Sequence, residues 1–198
     1  MKMRRNAACL LFCAPFVLLG VGEKDQFTPP AVEQMEKQTI SEVTIAAQAF
    51  DTEALCKPPF GKVNPNKYGV LPVWVVVKNN SKKSVKLDGA MFQYHDLNRN
   101  KIEATPANEV RFANSPKRPR MSPSPLPFPL PKGKNPLEAF EIEGRSFAAK
   151  MLPPGESAQG FVYFQTDHRG GEKLYVTGLR DAATGDELFF FEVPLKSH

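Results

Sequence analysis

The stretch that most constrains this chain is Val70-Leu71-Pro72-Val73-Trp74-Val75-Val76-Val77, eight consecutive apolar residues closed by Lys78-Asn79-Asn80-Ser81. A helix would crowd the stiff β-branched side chains of its valines, whereas a pleated strand accommodates them. The run does not alternate with polar residues, so it reads as a strand covered on both faces. Pro72 has no N–H to give a ladder and belongs near the start of that strand or at a bulge.

Other segments read as strands around it. Val43–Ala49 alternates, with Val43, Ile45, Ala47 and Ala49 on one face. Ser84–Tyr94 changes phase between Val85/Leu87 and Phe92/Tyr94, which a β-bulge at Gly89 would produce. Gly160–Gln165, Lys173–Arg180 and Glu187–Leu195 follow, separated by Gly- and Pro-rich turns. Between them, Lys57–Tyr68 reads as a loop, Asp96–Pro106 as turns, and Ala107–Ala113 as one helical turn. Short strands at this spacing, with no sustained helical period and no repeat, predict an all-β fold, an antiparallel sandwich.

The N-terminus carries the firmest functional information. Lys2, Arg4 and Arg5 precede an uncharged apolar run, Ala7–Val21, with Gly20 and Gly22 at its end. This is the pattern of a secretory signal over residues 1–22, and the run is short for a bilayer span. The protein is therefore expected to be exported, periplasmic or secreted, with no membrane span after cleavage; an uncleaved anchor is the alternative. Phe12 before Cys13 argues against lipidation. The chain has 26 basic and 21 acidic residues, but the signal takes three basic ones with it, leaving 23 against 21, or +2. The basic pI thus belongs partly to the signal, and no nucleic-acid partner is expected. Cys9 and Cys13 leave as well. Cys56 remains alone, either a small buried hydrophobe or a thiol that pairs with another chain. Residues 23–40 read as a polar leader, with two helical turns in Ala31–Gln38, and residues 41–198 as a single domain.

Within that domain, Asn114 to Pro136 stands apart. It holds Pro116, Pro119, Pro123, Pro125, Pro127, Pro129, Pro131 and Pro136. Alternate prolines deny the backbone its donors and favour an extended polyproline II arm. Lys117, Arg118, Arg120, Lys132 and Lys134 give the segment +5 with no acidic residue, beside apolar Leu126, Phe128 and Leu130. The candidate partner-binding residues are therefore Lys117, Arg118, Arg120, Phe128, Lys132 and Lys134. A solvated loop is the competing reading.

Catalytic and metal chemistry find little support. His168 lies in the turn Asp167–Gly171, where the buttressing a catalytic histidine needs is hard to arrange; His95, beside Asp96, is better placed but reads as a surface histidine, since no nucleophile motif accompanies it. Met91 with His95 is the one close pair of soft metal ligands, and Met91 reads as core. Asp96-x-Asn98-x-Asn100 begins like a calcium loop, yet Lys101 and Ala107 occupy the positions that need Gly and Glu. No catalytic residue, metal site or cofactor is expected.

The turn Leu152-Pro153-Pro154-Gly155-Glu156 leading into Gly160–Phe164 and Leu174-Tyr175-Val176, with the Val70–Val85 segment, resembles exported bacterial immunoglobulin-like domains of unknown function. The resemblance implies an immunoglobulin-like β-sandwich and brings no catalytic residues; the long proline-rich basic loop departs from the pattern. The expected function is a non-enzymatic envelope or extracellular binding module for a protein or an anionic envelope component. The alternatives are a structural or chaperone-like subunit that pairs through a sheet edge, and a metal-dependent enzyme using His95, Asp96 and Glu103.

Overall fold

A computed structural model describes residues 27–113 and 135–197. The signal segment and all six candidate binding residues, Lys117, Arg118, Arg120, Phe128, Lys132 and Lys134, lie outside the described residues. The fold is all-β, in three antiparallel sheets. The first sheet has the order β1 (Glu36–Ile40), β2 (Val43–Ala49), β3 (Leu71–Asn79), β8 (Ser157–Phe164). The second is a small sheet of β10 (Arg180–Asp181), β4 (Val85–Lys86) and β7 (Met151–Leu152). The third has the order β11 (Phe191–Pro194), β9 (Lys173–Thr177), β5 (Met91–His95), β6 (Lys101–Glu103).

The apolar run forms β3 and divides its side chains between two cores. Leu71, Val73, Val75 and Val77 join residues from the second and third sheets, including Val85, Tyr94, Leu174, Val176 and Phe191. Val70, Trp74 and Val76 face the other way, into Phe50, Phe60, Phe161, Tyr163, Val110, Leu137 and Ile142. Helical and irregular segments supply much of that second layer, so the central strand β3 is covered on both faces.

Pro72 is the second residue of β3, where the ladder can spare its donor. Its carbonyl still accepts from Phe50 N (2.9 Å), while the Phe50 carbonyl is taken instead by Asn66 Nδ2 (2.8 Å) and Cys56 Sγ (3.3 Å).

Several expectations are corrected. Ala31–Gln38 is not helical beyond the 3₁₀ turn Val32–Gln34; from Glu36 the chain is strand β1, so the expected leader adds an edge to the first sheet. Lys57–Tyr68 is not a loop throughout. Thr52 Oγ1 caps a short helix, α1 (Glu53–Phe60), by accepting from Leu55 N at 3.3 Å, and Pro65–Tyr68 is a 3₁₀ turn. Pro58 and Pro59 sit late enough in α1 that only its closing turn loses donors; Gly61, at φ +64°, ends it by donating to the Lys57 carbonyl. The segment Asp96–Pro106 contains β6.

Ser84–Tyr94 is two strands in different sheets rather than one bulged strand. Lys173–Arg180 splits likewise into β9 and β10. Both breaks fall at one crossing of backbones: a Cβ on Gly178, whose φ is +79°, would lie 2.1 Å from the Gly89 carbonyl oxygen. Phe92 and Tyr94 point inward after the crossing, which leaves Met91, expected in the core, 56% exposed.

The end of β3 is fixed by a buried amide. Asn79 Nδ2 donates to the carbonyls of Lys83 (2.7 Å), Leu152 (3.0 Å) and Pro153 (3.1 Å), and Oδ1 accepts from Ser81 N and Oγ. Its backbone exchanges bonds with Glu156 and Gly155. Replacing Asn79 with Ala removes all of these side-chain bonds and strands the buried Leu152 carbonyl, and urea unfolding of the variant should show a loss of about 3 kcal/mol. Ser81→Ala, which removes hydroxyl bonds at the half-buried rim of this site and leaves the Asn79 amide in place, should cost about 1 kcal/mol or less.

Candidate functional site

The outward face of the third sheet collects side chains that the sequence disperses. His95 on β5 stacks on Tyr175 of β9 with ring centroids 4.7 Å apart and planes at 15°. Tyr175 stacks in turn on Phe190, at 5.1 Å and 25°. Three rings thus form one row across neighbouring strands, placed there by the inward parity of Tyr94, Leu174 and Phe191. Phe190 is 49% exposed and Phe189 74%, with Met91 on the same sheet. Gln93 and Glu192 lie opposite Tyr175 in register, and Lys173 bonds Glu192 at 3.0 Å. Desolvation beneath this row, with Lys101 nearby, holds His95 below the ordinary imidazole range. The row is therefore neutral near pH 7, an apolar stripe bordered by polar groups.

Behind that face lies a polar cluster that sequence reasoning missed. His168, in the turn where buttressing looks hard to arrange, has a fully buried side chain. Its Nδ1 sits 3.1 Å from the Tyr94 hydroxyl and 3.3 Å from Glu172 Oε2. Glu172 Oε1 accepts from Arg169 N at 3.0 Å. Burial alone would raise the Glu172 carboxyl; the backbone N–H groups of Glu172 and Arg169, then His168, outweigh it and hold the group below the ordinary carboxylate range. Burial, reinforced by Glu172, pushes the Tyr94 phenol far above its usual value. The cluster pins the turn between β8 and β9 onto β5, and no nucleophile stands beside it in the described hydrogen bonds.

The remaining candidates have local structural duties. Both Asp96 oxygens are engaged within the turn, Oδ1 by Asn100 N and Oδ2 by Asn100 Nδ2, each at 2.7 Å. His95 Nε2 faces Gln93 Oε1 at 3.4 Å, and among the described residues no three His, Cys, Asp or Glu side chains converge on a point. Cys56 is buried; its thiol donates to the Phe50 carbonyl and is pushed up to about 12 by burial, Asp51 adding to the effect. A thiol so held is neither a nucleophile nor a ligand at neutral pH.

No family model and no curated protein matches this chain. Among solved structures it is similar to the ycdA protein of Bacillus subtilis, at 12% identity over 81% of this chain and 38% of that one, with a TM-score of 0.39. It is also similar to the yjhA protein of the same species (11% identity, 82% and 96% of the two chains, TM-score 0.39). A secreted protein from Mycobacterium tuberculosis gives 11% identity, 82% and 95% coverage and a TM-score of 0.34. This chain spans well under half the length of the first of these. No activity or partner carries over at such scores. Among the described residues, no helix is long and apolar enough to cross a membrane.

Burial raises Tyr163 as it does Tyr94. A phenol whose folded pKa is raised contributes stability that is complete below about pH 10, the unfolded value, and is lost as pH climbs beyond it. Absorbance at 295 nm during alkaline titration should therefore show these two phenolates appearing together with loss of the far-UV β signal, not before it.

Proposed function

We propose that this is an exported, non-enzymatic interaction module of immunoglobulin-like build, which binds a protein or an anionic envelope component. The reading is carried by the row His95–Tyr175–Phe190 with Phe189 exposed beside it. Soluble domains seldom leave two adjacent phenylalanines so open, and aromatic side chains rimmed by polar groups are the usual anchors of binding surfaces. The basic segment adds a second element at the level of sequence: Lys117, Arg118, Arg120, Lys132 and Lys134 offer charge to an acidic partner, and Phe128 an apolar contact. Sheet-edge pairing is the less favoured alternative. The outer strand β6 has only three residues, two of them Lys101 and Glu103, and β1 is engaged by β11 through the bond from Glu192 N to Gln38 Oε1.

The double variant Phe189→Ser/Phe190→Ser should lower capture of the envelope partner by about tenfold or more, as expected for removal of interface anchors, with the melting temperature unchanged. Neutralising the five basic residues of 114–134 should instead weaken capture most at low salt. Capture that is indifferent to the aromatic pair would remove the outward face from the account.

A further inference from the structure

The aromatic layer on the other side of the first sheet contains a slot filled by the chain itself. Phe27 places its ring against Trp74 (centroids 5.3 Å apart), Phe161 (5.8 Å) and Phe50 (6.1 Å), and the Arg145 guanidinium lies over it at 5.1 Å. Two of the side chains packed on this ring carry donors that are left without acceptors. Trp74 is 5% exposed and its Nε1 is buried without a hydrogen bond; Arg145 NH1 is buried and likewise unbonded. Phenylalanine supplies the ring that the slot fits but no oxygen for either donor, and buried donors left unmade are costly.

Phe27 is also weakly tethered. Residues 27–30 have no regular structure, Pro29 and Pro30 lack N–H groups, and the first described backbone bonds, Gln34 N to Ala31 O and Met35 N to Val32 O, are local. Phe27 leaves the slot, then, without breaking a ladder.

We infer that Phe27 is a removable plug and that the slot it fills binds a small aromatic carboxylate. The aryl ring replaces Phe27 among Phe50, Trp74 and Phe161, and the carboxylate accepts from Arg145, with the Trp74 indole N–H as a second donor. Ring and carboxylate are both required by the class: a plain hydrocarbon would leave the donors as Phe27 does.

The chain has a single tryptophan, so its fluorescence reports on this slot directly. With phenylacetate as probe and the full chain as host, Phe27→Ala should give a saturable Trp74 response at a concentration about tenfold or more below that of the native chain. Arg145→Gln in the same background should reverse that gain, and neutral phenylacetamide should bind at least about tenfold more weakly. Phe27→Val, which keeps an apolar contact but vacates the space of a ring, carries the same test should Phe27→Ala unfold. A folded variant whose Trp74 emission does not respond to phenylacetate overturns the site; equal binding of phenylacetamide overturns the carboxylate assignment.

Discussion

The structure depends on one buried amide. Asn79 ends the central strand, and its side chain collects the carbonyls of Leu152 and Pro153 from a turn more than seventy positions further on. Through that turn it joins the first sheet, where β3 pairs β8, to the second, where β4 pairs β7. Packed sheets need to be held in one relative position, and apolar contact alone allows sliding. Directional bonds inside a dry site do not. The Asn-Asn-Ser and Leu-Pro-Pro-Gly-Glu segments, which carry the sequence resemblance, are two halves of this one device.

The two-sided central strand was legible because its signal is local: an unbroken apolar run of strand length has to be covered twice. Pro72 could be placed for the same reason. The covering layer was not legible. Its helix α1 contains Pro58 and Pro59, which argue for a loop, while the signals in its favour, a Thr cap and a closing Gly, are common in loops too. By sequence β1 reads as part of a leader, because Glu36–Ile40 is polar; its strand character comes from pairing with β2 and from Gln38 reaching β11. The phase change at Gly89 was real, but a single chain cannot reveal that Gly178 stands against it and that both strands change sheets together.

The outward surface shows the same division between local and assembled information. In Phe189-Phe190-Phe191 only Phe191 is buried, and the two exposed rings gain meaning from Tyr175 and His95 on strands distant in sequence. His168 shows the same limit from the other side. Its neighbours Asp167, Arg169 and Gly170 are those of an exposed turn, and its burial is imposed by Tyr94 and Glu172, which no local pattern foretells.

The latch between β1 and β11 has a mechanical side. Near residue 36 the chain enters the first sheet, and near residue 196 it leaves the third; Lys196 and Glu36 form an ion pair there. A load applied between these two points would peel one outer strand from another, opening bonds singly, and would not drag β3 lengthwise against its neighbours. A domain stretched between these points would yield at low force. The same closeness would let a short bridge join them and new ends be cut at the Thr184–Gly185 turn, with the central strand undisturbed.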